Sequence, residues 1–338
     1  MGTMTHTTAE KSPEELRPRL IVWELTPNRE SNANGSLPLS QHECLLVLDS
    51  IARTSEPIIV VRGPSVIHRD NIHEIIDYGH ALDLKMIIEL QPEELTQDII
   101  NRYRTYGVRI FRIILDGRIA EDANTRFRQS PQFLALETAV GLLKDNGMEA
   151  HFSLTLENPD RRSLAFNLDY SFLKGAKGLY CHLRFRQPAS KEIQPAQYPG
   201  TIDEFLLNIP DMKERVPSNM YLSPQCVKYT IQSPDECEMV KPSGDKSPRW
   251  VPTCLAGRTF GFLDACGKLY LCQGAGIAAG DLRSHGYDFK NLWCCSDMLC
   301  DMRSRCRSCS ETLLFIEEIK SCKKFKQLVI QENVRNLP

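Results

Sequence analysis

Between residues 20 and 185 the chain alternates short apolar, β-branched runs with stretches of helical periodicity, and this alternation constrains the fold more than any other feature. Strand-like runs lie at 20–25, 57–61, 85–90, 108–115, 149–156 and 179–185, and helix-like stretches at 40–53, 71–82, 92–106, 131–146 and 163–173. The order makes six β-α type units, the last ending in its strand. Strands separated by single helices pair in parallel through right-handed crossovers, because each crossover has to pack back onto the sheet. Their near-continuous apolar character calls for a sheet covered on both faces. An α/β fold follows. A barrel or part of one fits better than an open doubly wound sheet, while periodicity alone is compatible with both.

The chain is long enough for one large unit and one small one. Residues 1–18 are polar and are expected to form a disordered N-terminal segment, 19–200 a barrel, 201–250 a linker or excursion, and 251–338 a small Cys-rich C-terminal domain. The polar stretch at 232–249, with Pro234, Pro242, Gly244 and Pro248, reads as surface loop. Lys+Arg 41 against Asp+Glu 43 gives no reason to expect nucleic acid as a partner, and Lys323, Lys324 and Lys326 read as a solvated helix face. No apolar run approaches the roughly 20 residues of a membrane helix, and residues 1–19 hold no signal-like apolar core. The expected location is therefore the cytoplasm.

Nine of the 13 cysteines fall within a 69-residue stretch: Cys254, Cys266, Cys272, Cys294, Cys295, Cys300, Cys306, Cys309 and Cys322. In a reducing compartment such a group favours metal over disulfides, with oxidisable structural thiols as the alternative. Cys300, Cys306 and Cys309 run as C-x5-C-x2-C, and thiolates so close in sequence converge on iron or zinc with little loop entropy to overcome. Cys44 and Cys181 lie in apolar runs and read as buried small hydrophobes. Cys226 and Cys237 are compatible with a loop near the cluster.

The run Leu20-Ile21-Val22-Trp23-Glu24-Leu25-Thr26-Pro27-Asn28 resembles the first strand of a radical SAM domain, which normally leads into a C-x3-C-x2-C loop. Ile113-Ile114-Leu115-Asp116-Gly117, followed by Ala120, Glu121, Phe127 and Arg128, resembles a later strand of that family, and Lys144-Asp145-Asn146-Gly147-Met148 its usual helix ending. The resemblance spans roughly residues 20–188 and implies a partial (β/α)6 TIM-like barrel of radical SAM type. The cysteine region is similar to a SPASM domain, an auxiliary iron-sulfur module. That resemblance implies a first [4Fe-4S] cluster on Cys254, Cys266, Cys272 and Cys309, and a second on Cys295, Cys300, Cys306 and Cys322, with Cys294 able to replace Cys295. Two spacings depart from the module's pattern, Cys295 to Cys300 and Cys306 to Cys309. Zinc on four of the same thiolates is the alternative.

The same resemblance exposes two losses. Aligned on Leu25-Thr26, the three cluster positions are Arg29, Ala33 and Ser36, and no C-x3-C-x2-C occurs anywhere before Cys226. The Gly-Gly-Glu-Pro turn that holds the cofactor's amino group corresponds to Arg62-Gly63-Pro64-Ser65, with Pro64 in place of the carboxylate. S-adenosylmethionine binding is therefore not expected, and arginine sets a fixed positive charge where that cationic cofactor sits. Arg29 and Arg62 are read either as solvated loop residues or as an anion pocket, since strand-end loops are where such barrels bind ligands.

His68, His73 and His80 do not share one helix face and read as solvated or capping residues. Glu24 and Glu89, if they face the barrel interior, are expected to pair with Arg112 or Arg184. No Walker loop, dinucleotide fingerprint or nucleophile elbow is present. The reading that results is a non-catalytic partner, scaffold or electron relay for an active radical SAM enzyme or its precursor peptide. An enzyme of another class using the barrel mouth, and a zinc-stabilised structural protein, are the alternatives.

Overall fold

The computed structural model describes residues 17–27, 36–115, 130–157, 167, 170–171, 174–184, 219–222, 227–231, 250–254, 257, 260–271, 278–299 and 311–317. Six strands, β1 (Leu20–Glu24), β2 (Ile58–Arg62), β3 (Lys85–Leu90), β4 (Ile110–Leu115), β5 (Glu149–Glu157) and β6 (Gly178–Arg184), lie side by side in chain order. Every neighbouring pair among them is parallel, as the single-helix crossovers require. The fold is the expected α/β one, with six parallel strands in the order of a partial barrel. Among the described strands no closing pair joins the two edges of the sheet.

Helices cover the outer face. α1 (Gln41–Thr54) buries Cys44, Val47, Leu48 and Ile51, the i, i+3, i+4, i+7 stripe of one helix face. Its start is fixed by a capping box in which the Ser40 hydroxyl accepts from Glu43 N–H while the Glu43 carboxylate accepts from Ser40 N–H. α2 (Ile72–Ala81) buries Ile72, Ile75, Ile76 and Gly79, and α4 (Pro131–Asp145) buries Leu136, Ala139, Val140 and Leu143. The helix expected at 92–106 divides: a 3-10 turn, Pro92–Glu94, precedes α3 (Gln97–Thr105). The break follows from Thr96, whose hydroxyl accepts from Ile99 N–H and starts a new helix.

The remaining strands extend the same sheet. Residues 219–222 (β7), 227–231 (β8) and 250–254 (β9) form an antiparallel series attached through β13 (Glu311–Glu317) to β6. On the opposite side β10 (Phe260–Leu263) pairs in parallel with β1, and β11 (Lys268–Tyr270) and β12 (Gly280–Asp281) follow antiparallel. A fifth helix, α5 (Phe289–Cys295), docks on α1, with Phe289 N–H donating to the buried Ser50 hydroxyl at 2.8 Å. Its Trp293 lies over Gly261 of β10, where an added Cβ would stand 2.7 Å from the ring. Phe289 and Trp293 belong to the same continuous core as Trp23, Val61 and Phe111. No helix among the described residues is long and apolar enough to cross a membrane.

Candidate functional site at the barrel mouth

Register sets a row of charged side chains across the strands. Glu24 lies opposite Arg62, Glu89 opposite Arg112, and Arg112 opposite His151. Glu24, Glu89 and Arg112 are each 3% exposed, so their charges have to be met within the protein. Glu89 meets two guanidiniums, with Arg112 Nε at 2.5 Å and Arg62 Nε at 3.4 Å. Burial alone pushes the Glu89 carboxyl up; Arg112, then Arg62, then a hydrogen bond from Ser153 outweigh it and hold the group below the usual carboxylate range. The Arg112 guanidinium also lies over the Tyr180 ring, 4.1 Å from its centroid.

His151 closes the row. Burial, with Arg112 and Lys85 adding to it, pushes its pKa down to about 3, so the imidazole is neutral. The ring fits because Gly178 opposite has no side chain: an added Cβ would stand 2.9 Å from Nδ1.

Above the row, at the C-terminal ends of β1 to β4, is a cavity of about 420 Å³ lined by Glu24, Arg62, Gly63, Pro64, Glu89 and Glu94 among others. The turn after β2 is tied to the end of β1, with Leu25 N–H donating to Arg62 O at 2.9 Å and the Thr26 hydroxyl to Pro64 O at 2.9 Å. Gly63 has φ +134° and faces Thr26 so closely that a Cβ would lie 2.3 Å from its hydroxyl. Ser65 is left-handed at φ 50°.

Arg62 thus lines the cavity, in contact with Glu89, whereas Arg29 lies outside the described residues. The expected Glu89 to Arg112 pair forms, and the side chain of Arg184 lies outside the described residues. Sequence reading missed the row as one unit. The available signal was position, since Glu24 and Arg62 end their strands and Glu89 stands next to the end of its own.

Of the cysteines assigned to metal by resemblance, Cys266 is buried in the turn between β10 and β11, Cys294 is half-buried and Cys295 exposed on α5. Cys254 is described by its backbone alone, and Cys272, Cys300, Cys306, Cys309 and Cys322 lie outside the described residues. Among the described residues no three His, Cys, Asp or Glu side chains are grouped to hold a metal ion. Asp264 shapes the turn, accepting from Cys266 N–H at 2.9 Å and Lys268 N–H at 2.8 Å. Parallel pairing of β10 with β1 places that turn at the barrel mouth, where the Cys266 thiol donates to Ser36 O at 3.4 Å.

No protein-family profile matches the chain. The chain is similar to AdoMet-dependent heme synthases along most of its length. It is 24% identical over 296 residues to the one from Methanosarcina barkeri, covering 82% of each chain, and 23% identical over 317 residues to the one from Oleidesulfovibrio alaskensis, covering 86% of this chain and 80% of that one. Among solved structures, Streptococcus suis SuiB bound to S-adenosylmethionine superposes with a TM-score of 0.51 at 10% identity, over 86% of this chain and 66% of SuiB. The similarity is thus one of sequence to the heme synthases and one of fold to SuiB.

The three positions that the resemblance assigns to a radical SAM cluster do not fit one. Three thiolates are required, and positions 29, 33 and 36 offer a guanidinium, a methyl and a hydroxyl. Ser36, the described one of the three, has its carbonyl on the Cys266 thiol and its hydroxyl 3.5 Å from Lys268 Nζ. Pro64 supplies no acceptor carboxylate, and its carbonyl is taken by Thr26.

Proposed function

We propose that the chain is a relative of the AdoMet-dependent heme synthases that lacks the catalytic cluster, acting as a non-catalytic partner, scaffold or electron relay for an active radical SAM enzyme or its precursor peptide. One observation carries the reading: the loop that should bind the catalytic cluster contains no thiol, while the scaffold around it is retained. Without three thiolates the cluster iron that binds the cofactor has no support, and no electron reaches the sulfonium. The Glu89 carboxylate, paired with both Arg62 and Arg112, supports the same reading, since Arg62 and Glu89, which line the cavity, already meet each other's charge. On this reading the C-terminal cysteines supply thiolates for one or two [4Fe-4S] clusters, which gives the partner role a means of passing electrons.

The test is anaerobic reconstitution with iron and sulfide, followed by incubation with S-adenosylmethionine and a strong reductant. No 5′-deoxyadenosine is expected, and robust formation of it overturns the reading. Metal analysis of the same sample separates iron from zinc: iron with acid-labile sulfide is expected, and zinc alone removes the electron-relay role.

A further inference from the structure

Five backbone carbonyls at the two ends of the β1 to α1 connection are held by side chains from distant parts of the chain. Arg69 donates to Leu25 O at 2.7 Å and to Leu39 O at 2.6 Å. Arg283 donates to Leu37 O at 2.6 Å and Pro38 O at 2.9 Å. The Cys266 thiol takes Ser36 O. The donors are themselves fixed: Arg69 by Asn71 Oδ1 at 2.7 Å, and Arg283 by both Glu43 oxygens at 2.6 and 3.0 Å. Backbone joins in, with Leu39 N–H on Ala265 O at 2.7 Å. Leu39 packs against Gly267, where φ is +87° and a Cβ would lie 3.0 Å from its side chain.

We infer that this clasp, and no metal, fixes Leu25 and residues 36–39 where they flank β1 and α1, and that Cys266 belongs to the clasp as a hydrogen-bond donor and not to the C-terminal ligand set. The two arginines reach the connection from opposite sides, one from the turn after β2 and one from the segment after β12. Each presents a planar fork of donors, which suits carbonyls arriving in pairs. Ligation by Cys266 would remove the thiol proton that the contact with Ser36 O uses and would set negative charge against that oxygen. The inference goes beyond the partner reading and does not depend on it. It leaves the other eight cysteines of the C-terminal stretch for clusters.

The experiment combines hydrogen exchange of the peptide covering residues 36–45 with metal content per chain, both on the full chain purified anaerobically. Arg283→Ala is expected to speed exchange in that peptide by about tenfold or more, and Arg283→Lys, which keeps the charge and loses the fork, by a smaller factor. Cys266→Ser keeps a donor for Ser36 O, so metal per chain stays at the wild-type value and exchange within about twofold. Stripping wild-type protein with a chelator is likewise expected to leave the peptide within about twofold. The inference is overturned if Cys266→Ser loses metal, if chelation speeds exchange as much as Arg283→Ala, or if both Arg283 variants exchange at the wild-type rate. Should Arg283→Ala fail to fold, Arg283→Lys and Cys266→Ser decide the matter. Wild-type protein that holds no metal and keeps its protection supports the clasp while overturning the iron-sulfur part of the proposed function.

Discussion

A carboxylate as buried as Glu89 normally keeps its proton, and it stays ionised here because Arg112 and Arg62 both face it. Removing one partner strands the other charge. Arg112→Met should lower stability by about 3–5 kcal/mol, read from urea unfolding, because Glu89 and its hydrogen bonds lose their main counter-charge. With its folded pKa below the unfolded value, Glu89 contributes stability above about pH 4.3 that is lost as pH falls through the lowered value. His151 acts in a different window. Its folded pKa of about 3 lies below the unfolded value of about 6.5, so the unfolded chain takes up a proton first and stability drains away as pH falls from 6.5 towards 3. His151→Gln should flatten the stability profile across that window while leaving the loss at lower pH, as followed by chemical denaturation at a series of pH values. The pairing of Glu89 with Arg112 was legible from strand position. The His151 site was not, because it depends on Gly178 leaving space from the neighbouring strand.

Element boundaries were legible wherever a local signal fixed them. Ser40 and Glu43 form the box that starts α1, and Ser40→Ala should lower the melting temperature in line with a loss of about 1 kcal/mol. The division of the expected 92–106 helix was overlooked because apolar periodicity runs through it, whereas the cap formed by Thr96 is a single hydroxyl contact. The turn after β2 teaches more. Its Arg-Gly-Pro-Ser sequence reads as a lost cofactor turn, yet the structure gives Gly63 a positive role: φ is +134° and the backbone rests on Thr26. Gly63→Ala should therefore destabilise by at least about 1–3 kcal/mol, since left-handed strain adds to a clash with backbone as well as side chain. A thermal melt indistinguishable from wild type would remove that account of the turn.

At the scale of the molecule, the parallel order of β1 to β6 follows from the alternation of runs and crossovers, and that much could be read directly. The place of the strands around the C-terminal cysteines could not. The apolar run at Phe260–Leu263 is short, and nothing local says that it lies beside the first strand of the barrel. Because Trp293 and Phe289 share the core of Trp23, tryptophan fluorescence and far-UV circular dichroism should report one coincident unfolding transition; two separated midpoints would contradict a shared core. The pairing of Leu20 with Phe260 also has a consequence for synthesis. At about 5–20 residues per second, roughly ten to fifty seconds separate the appearance of β1 on the ribosome from that of β10. Through that interval one edge of the nascent barrel has its peptide groups uncovered, so the emerging chain presents a natural substrate for holding chaperones until its last third arrives.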